Sequence, residues 1–258
     1  MDDIDTKILF NLLRDGRMTQ RLIAKNLGIS AQTLNYRITK LTEDGVVKNY
    51  TVHATPALYG KITSIVAFSS DVDVETDYFI KVSCLERITL FGLYGDTIDE
   101  VDQKIAKISK TMGEPVMKYT PLAERYRANS NSIDMLIVDQ LRKSPKAKIV
   151  DIAKELNLPS MRVKRRYSFL IKNRLISVIP IIDLSKTTSV IFAIFSHNTP
   201  KIEPILENNL IIQIGEKNTG IFICFADSLN SSKDIIKRVR EIEGDSDVMV
   251  VYDYDFVS

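Results

Sequence analysis

Residues 159–174 read PSMRVKRRYSFLIKNR: six cations, Arg162, Lys164, Arg165, Arg166, Lys172 and Arg174, and no acid. Cations grouped this way bind phosphate, because each contact with a nucleic-acid backbone releases a condensed counterion. A second stretch, ISAQTLNYRITKLTED at residues 29–44, has a different chemistry. The amides of Gln32 and Asn35 suit bidentate pairing with adenine edges, and Lys40 reaches guanine or phosphate. Catalytic chemistry has no comparable signal. The only histidines are His53 and His197, and the two cysteines, Cys84 and Cys224, are isolated. No CxxC or Cys/His cluster stands at metal-ligand spacing, and no nucleophile–base pair or phosphate loop is present. No cofactor and no metal are expected. The acidic run Asp71-Val72-Asp73-Val74-Glu75-Thr76-Asp77 lacks the ligand order of an EF-hand and reads as a solvated loop or helix start.

The charge is unevenly placed. The net charge of the whole chain is +2, yet residues 131–180 hold 11 Lys/Arg against 4 Asp/Glu, and residues 181–258 hold 7 against 12. A local basic patch attracts phosphate even on a nearly neutral chain. No apolar run reaches the roughly 18 residues of a membrane span, and the start, MDDIDTK, is no signal peptide. A reducing cytoplasmic setting without a membrane partner is expected.

The elements that position these residues emerge from an internal repeat. A shift of 129 residues places Ile4, Asp5, Ile8 and Leu12 on Ile133, Asp134, Ile137 and Leu141. It places Ile23, Ala24, Lys25 and Leu27 on Ile152, Ala153, Lys154 and Leu156, Arg37 on Arg166, and Leu41 on Leu170, without a gap. Each copy opens with three helical patterns. Ile4, Ile8, Leu9, Leu12 and Leu13 follow a 3.6-residue period. Thr19 caps a short second helix, Gly28 (Asn157 in copy two) makes a tight turn, and Ser30 caps a third helix. Gly45 ends that helix, with Asn173 or its neighbour serving in copy two. A β-rich segment follows, VVKNYTVHA in one copy and LISVIPII in the other. Three helices and a strand in this order predict a winged helix-turn-helix.

With Leu34 turned inward at 100° per residue, Gln32, Tyr36, Thr39, Lys40 and Glu43 face out, flanked by Thr33 and Asn35. In copy two the outward set is Met161, Arg162, Arg165, Ser168 and Lys172, with Lys164 beside them and Ser160 at the helix start. Arg37 and Arg166 fall nearer the buried side, where a structural or phosphate-clamping role outweighs base readout. Phe169 points partly outward and reads as a packing residue rather than a base stacker. The candidate DNA-binding residues are therefore Ser30, Gln32, Thr33, Asn35, Tyr36, Arg37 and Lys40, and Ser160, Arg162, Lys164, Arg165, Arg166 and Lys172.

Residues 3–55 resemble the DNA-binding domain of the leucine-responsive regulatory protein/AsnC (Lrp/AsnC) family. The resemblance lies in Asp3-Ile4-Asp5, Ile23-Ala24-Lys25-Asn26-Leu27-Gly28-Ile29-Ser30, Arg37-Ile38-Thr39-Lys40-Leu41 and Asp44-Gly45-Val46-Val47. Copy two is a looser match that replaces the Gly-Ile-Ser turn with Asn157-Leu158-Pro159. The resemblance implies an α+β chain in which each winged helix precedes a ferredoxin-like βαββαβ domain that pairs and takes small effectors such as amino acids. The expected domains are 1–52, 53–128 (a reduced sheet domain), 131–182 and 183–258. In copy two the strands fall at Ser189–Ser196, Leu210–Ile214, Ile221–Phe225 and Val248–Tyr254, with helices at Ile202–Glu207 and Leu229–Ile242. In copy one, Ile62–Ser69 and Val116–Tyr119 are strands and Ile98–Met112 a helix. The stretch CLERITLFGLYGDT is left to supply both central strands, so a short hairpin or a lost strand is expected. Gly92, Tyr94 and Asp96 resemble the family's effector turn with one inserted residue, which favours a structural turn over a normal amino-acid pocket.

The polar linker Thr120–Ser132 joins the copies, and an intrachain pseudo-dimer is expected, with further homodimerisation open. Its partner would be double-stranded DNA, at a site that is no perfect palindrome because the halves differ. Two rivals stand beside the regulator. Siroheme decarboxylases share the architecture and would place histidines in a cleft to bind a tetrapyrrole. Here His53 falls on Ile182 under the shift, and a lone histidine at a strand end reads as a surface or capping residue. The other rival is an interaction module that has lost DNA binding in one copy.

Overall fold

A computed structural model describes residues 1–121, 130–215 and 218–257. Most of the linker expected at Thr120–Ser132 lies outside these residues. The chain opens with α1 (Asp3–Arg14), α2 (Gln20–Leu27) and α3 (Ala31–Glu43), followed by β1 (Val47–Ala54). Each helix start is capped by a side chain: Asp2 accepts from the Ile4 and Asp5 amides, Thr19 from Leu22 and Ser30 from Thr33. Gly28 and Gly45 take positive φ at the turns that follow α2 and α3. Copy two repeats the plan as α5 (Ser132–Lys143), α6 (Ile149–Glu155), α7 (Ser160–Lys172) and β6 (Ile176–Ile182). There Asn157 and Arg174 hold the two left-handed positions, at φ 51° and 54°. The residue at the second position is thus the neighbour of Asn173. The start of α7 has no side-chain cap, because Pro159 stands where Ser30 stands in copy one.

The strand after each third helix is not half of a local wing. β1 and β6 pair with each other, antiparallel, from Val47 opposite Ile182 to Ala54 opposite Ile176. The shift carries Val47 onto Ile176, so the pairing is reciprocal, as in a two-fold interface. A lone strand must find a partner for its backbone groups, and the nearest one is its own counterpart.

The remaining strands form one eight-stranded antiparallel sheet, in the order β5-β2-β4-β3-β10-β7-β9-β8. Copy one supplies β2 (Ile62–Phe68), β3 (Ile80–Cys84), β4 (Ile88–Gly95), α4 (Ile98–Met112) and β5 (Pro115–Tyr119). Copy two supplies β7 (Val190–Ser196), α8 (Thr199–Leu206), β8 (Leu210–Gly215), β9 (Gly220–Ala226), α9 (Leu229–Arg240) and β10 (Asp247–Phe256). Copy two has the full βαββαβ order. Copy one departs from the expectation: no strand is lost, because β3 comes from residues upstream of Cys84. What is missing is the helix between β2 and β3. Residues 69–79 cross the sheet as a loop, and Val74 and Tyr78 pack where a helix would.

One face of each half-sheet lies under its own helices. α4 covers Val66, Phe68, Phe91 and Leu93, and α8 with α9 covers Phe192, Ile194 and Phe222. The opposite faces, with Ile65, Ala67 and Leu90 from copy one and Ile191, Ala193 and Met249 from copy two, share a single core. That core continues into the first helical unit through Ile8, Leu9 and Leu34. Phe10 of α1 stacks on Phe225 of β9 with ring centroids 5.5 Å apart. The shift replaces Phe10 by Asp139, and the second unit closes its core instead on Val52, Ala54 and Leu58 of copy one.

Candidate nucleic-acid interface

α3 and α7 each present the outward face expected from the helical wheel. Gln32, Thr33, Asn35, Thr39, Lys40 and Glu43 are exposed, and Tyr36 is 67% exposed. On α7, Arg162, Lys164, Arg165, Ser168 and Lys172 are exposed, and Met161 is 76% exposed. Leu34 and Leu41 anchor α3 from beneath, and Val163 and Leu170 anchor α7. Burial at these spacings fixes which way each helix turns its polar side.

The two faces differ in how firmly their side chains are held. Asn35 accepts a hydrogen bond from Gln20 Nε2 at 3.2 Å, which orients its amide. Ser30 and Thr33 bond each other at the cap, 2.8 Å between hydroxyls. On α7 the first turn has no side-chain cap, and Ser160 is its first residue. A groove of about 580 Å³ opens beside that turn, floored by Ile133 and Pro159 and rimmed by Arg162, Arg165 and Arg166.

Arg37 and Arg166 belong to the scaffold. Arg37 donates to Asp2 at 2.8 Å and to Asp5 at 2.9 Å. Arg166 donates from Nε to Asp134 at 2.8 Å, and Asp134 is fully buried. Asp5 and Asp134 are equivalent under the shift, so both units use one device to bind the third helix to the first. The partner carboxylates raise both arginine pKa values. Arg166 also lies over the Phe169 ring, 4.4 Å from its centroid, and Phe169 packs on the second core.

Gly92, Tyr94 and Asp96, the residues of the expected effector turn, lie on β4 and just after it, each in a contact of its own. Gly92 is buried mid-strand, where a Cβ would meet Phe79 Cζ at 2.5 Å. Tyr94 lies under Lys104, 4.7 Å from ring centroid to Nζ. Asp96 is exposed and paired with Lys61 at 2.7 Å.

His53 overturns the surface expectation. It packs between Phe79 (5.6 Å) and Phe256 (5.4 Å), and its Nδ1 is buried with no hydrogen-bond partner. Burial, with Arg142 nearby, pushes its pKa down to about 4. Two functional candidates had escaped the sequence. Arg17 and Lys146 lie between the two helical units, and their only sequence signal is that the shift superposes them.

Residues 1–48 match a family described as winged helix-turn-helix DNA-binding. Over 60 residues the chain is 40% identical to the HTH-type transcriptional regulator FL11 of Pyrococcus furiosus, covering 23% of this chain and 40% of that one. The chain thus spans less than half the length of that relative. An uncharacterized HTH-type transcriptional regulator of the same organism, PF0864, is 25% identical over 146 residues, covering 55% of this chain and 90% of that one. Among solved structures, the siroheme decarboxylase NirDL is 13% identical, covers 98% of this chain and 92% of that chain, and has a TM-score of 0.48.

Proposed function

We propose that this chain, whose first helical unit resembles the Lrp/AsnC type, is a DNA-binding transcriptional regulator that carries both halves of its DNA-reading apparatus in one polypeptide. The observation that carries this is the pair of exposed third helices, α3 and α7, on two units joined reciprocally through β1 and β6. In dimeric helix-turn-helix proteins two such helices address two half-sites of one duplex. Here the halves divide the work. Gln32 and Asn35, the latter oriented by Gln20, serve base readout, with Thr33, Tyr36 and Lys40 beside them. Arg162, Lys164, Arg165 and Lys172 grip the backbone, and the uncapped start of α7 at Ser160 offers amides to a phosphate. Arg37 and Arg166 hold each reading helix on its α1 or α5 support.

Duplex binding measured by fluorescence anisotropy across a salt series tests this division. Neutralising Arg162, Lys164 and Arg165 is expected to weaken binding to all sequences and to lower the salt slope by about one for each lost contact. Replacing Gln32 and Asn35 with alanine is expected to relax sequence preference while leaving the slope nearly intact. A triple variant that grips random duplex as tightly as wild type at every salt concentration sinks the assignment.

A further inference from the structure

The helical units also meet through their first loops. Arg17 follows Gly16 between α1 and α2, and Lys146 follows Pro145 between α5 and α6. The shift places Arg17 on Lys146 and Gly16 on Pro145. Arg17 donates from Nη1 to the Pro145 carbonyl at 2.7 Å and from Nη2 to the Ala147 carbonyl at 2.6 Å. Lys146 Nζ donates back to the Gly16 carbonyl. The contact is therefore reciprocal across the same two-fold relation as the β1–β6 ladder.

Each cation also rests on a ring. The Arg17 guanidinium lies 5.2 Å from the centroid of Tyr167, and Lys146 Nζ lies 3.9 Å from that of Tyr50. Tyr167 belongs to α7 and Tyr50 to β1. Gly16 seats the loop on the ladder: its amide donates to Val178 at 3.1 Å, and a Cβ there would meet that carbonyl oxygen at 2.2 Å. The ladder ties the units at their strands. The clasp extends the tie to the helices, and most directly to α7 through Arg17. Beside the ladder, the Gly16–Val178 bond and the packing of Val52 and Ala54 in the second core, the clasp is the side-chain contact that resists rotation of one unit against the other.

We propose that Arg17 and Lys146 are positioning residues that set the separation and relative rotation of α3 and α7, and with them the half-site spacing the chain accepts on DNA. This rests on the DNA-binding function argued above. Its physical basis is that B-DNA turns once in about 10 base pairs, so adding or removing two between half-sites rotates one by roughly a fifth of a turn. Rigidly linked helices reject that rotation, and slack ones follow it.

Two measurements test the clasp. In the first, the full chain selects duplexes from a random pool, and the spacer of the selected site is then varied by one and two base pairs. Wild type is expected to lose about tenfold or more in affinity for a two-base-pair change. The Arg17→Gln, Lys146→Met double variant is expected to lose less than about threefold while choosing the same half-site sequences. In the second, no DNA is used. Spin labels on Thr39→Cys and Ser168→Cys, exposed and equivalent positions on α3 and α7, report the inter-helix distance, with Cys84 and Cys224 buried. The distance distribution is expected to be narrow in wild type and broad in the double variant. A folded double variant that keeps the wild-type spacing penalty and distribution width overturns the proposal. If the double variant does not fold, Arg17→Lys, which cannot hold both carbonyls in one fork, replaces it in both arms. If wild type selects no sequence, the DNA-binding function fails, and the distance measurement still decides whether the clasp orients the helices.

Discussion

At the residue scale, burial separates two ion pairs that sequence position makes equivalent. Both acids accept from the amide of their helix cap, Asp134 from Asn131 at 2.8 Å and Asp5 from Asp2 at 3.1 Å, but Asp134 is fully buried, whereas Asp5 shares Arg37 with the more exposed Asp2. Removing one partner of a buried pair leaves the other charge uncompensated. Asp134→Asn is thus expected to cost about 3 kcal/mol in urea unfolding and Asp5→Asn about 1 kcal/mol; equal losses would mean that burial is not what distinguishes them. The helical wheel was enough to place Arg37 and Arg166 near the inner side. It gave no sign of their partners, which lie 32 residues earlier on another helix. His53 was misread for a related reason: its burial comes from Phe79 and Phe256, remote in sequence. Its folded pKa, about 4, lies below the ordinary value of 6.5. Between those values the unfolded chain takes up a proton that the folded chain does not, so stability falls as pH falls through the window. The loss from pH 7 to pH 5 is expected to be about 2 kcal/mol. His53→Phe should flatten that limb of a urea-midpoint-against-pH curve, and an unchanged limb would assign it to other groups.

At the element scale, regular helices and strands were legible and their partners were not. Helix caps, the turn at Gly28 and Asn157, and every strand of copy two follow from local residue types. In copy one the acidic run hid a replacement. Its alternating valines and aspartates look like a solvated loop, yet Val74 and Tyr78 cover the face that α8 covers in copy two. The acids are then held outside, Asp71 by Arg87 and Asp73 by Lys81. The Tyr78 hydroxyl donates to Asp255 of β10 at 2.9 Å, so the loop is also pinned across the join between the copies. Cutting Tyr78 back to alanine removes its packing and this bond together and is expected to cost about 3 kcal/mol, against about 1 kcal/mol for Tyr78→Phe. Thermal melts followed by circular dichroism distinguish this from a free loop, where both changes would be nearly silent. The β1–β6 pairing was illegible for another reason: a strand's residues record that it pairs, but not with which strand.

At the scale of the whole molecule, the two copies are interlocked rather than merely adjacent. β10 is ten residues long, and its two ends serve different copies: Asp247–Val251 pairs with β7, and Val251 and Asp253–Phe256 pair with β3. Near its far end Tyr254 reaches the other ladder. Its hydroxyl donates to the Pro180 carbonyl at 2.9 Å and accepts from the Ile182 amide at 3.1 Å, so one side chain bonds β6 to the sheet. The symmetric counterpart of the β3–β10 join would pair β5 with β8. It is absent among the described residues: β5 ends at Tyr119, and Pro121 soon after has no N–H to give a ladder. The first helical unit meets that side of the sheet instead, with Phe10 on Phe225. Because every unit borrows contacts from the other copy, neither half is expected to hold its structure alone, and the chain should unfold in one transition. Tyr254→Phe orphans a donor and an acceptor at the point where ladder and sheet meet, and is expected to cost about 2 kcal/mol. Intertwined copies require the urea midpoints by far-ultraviolet dichroism and by tyrosine fluorescence to move together in this variant. Separate shifts, with one transition left in place, would mean that the copies fold independently and that the duplication is a tandem of autonomous domains.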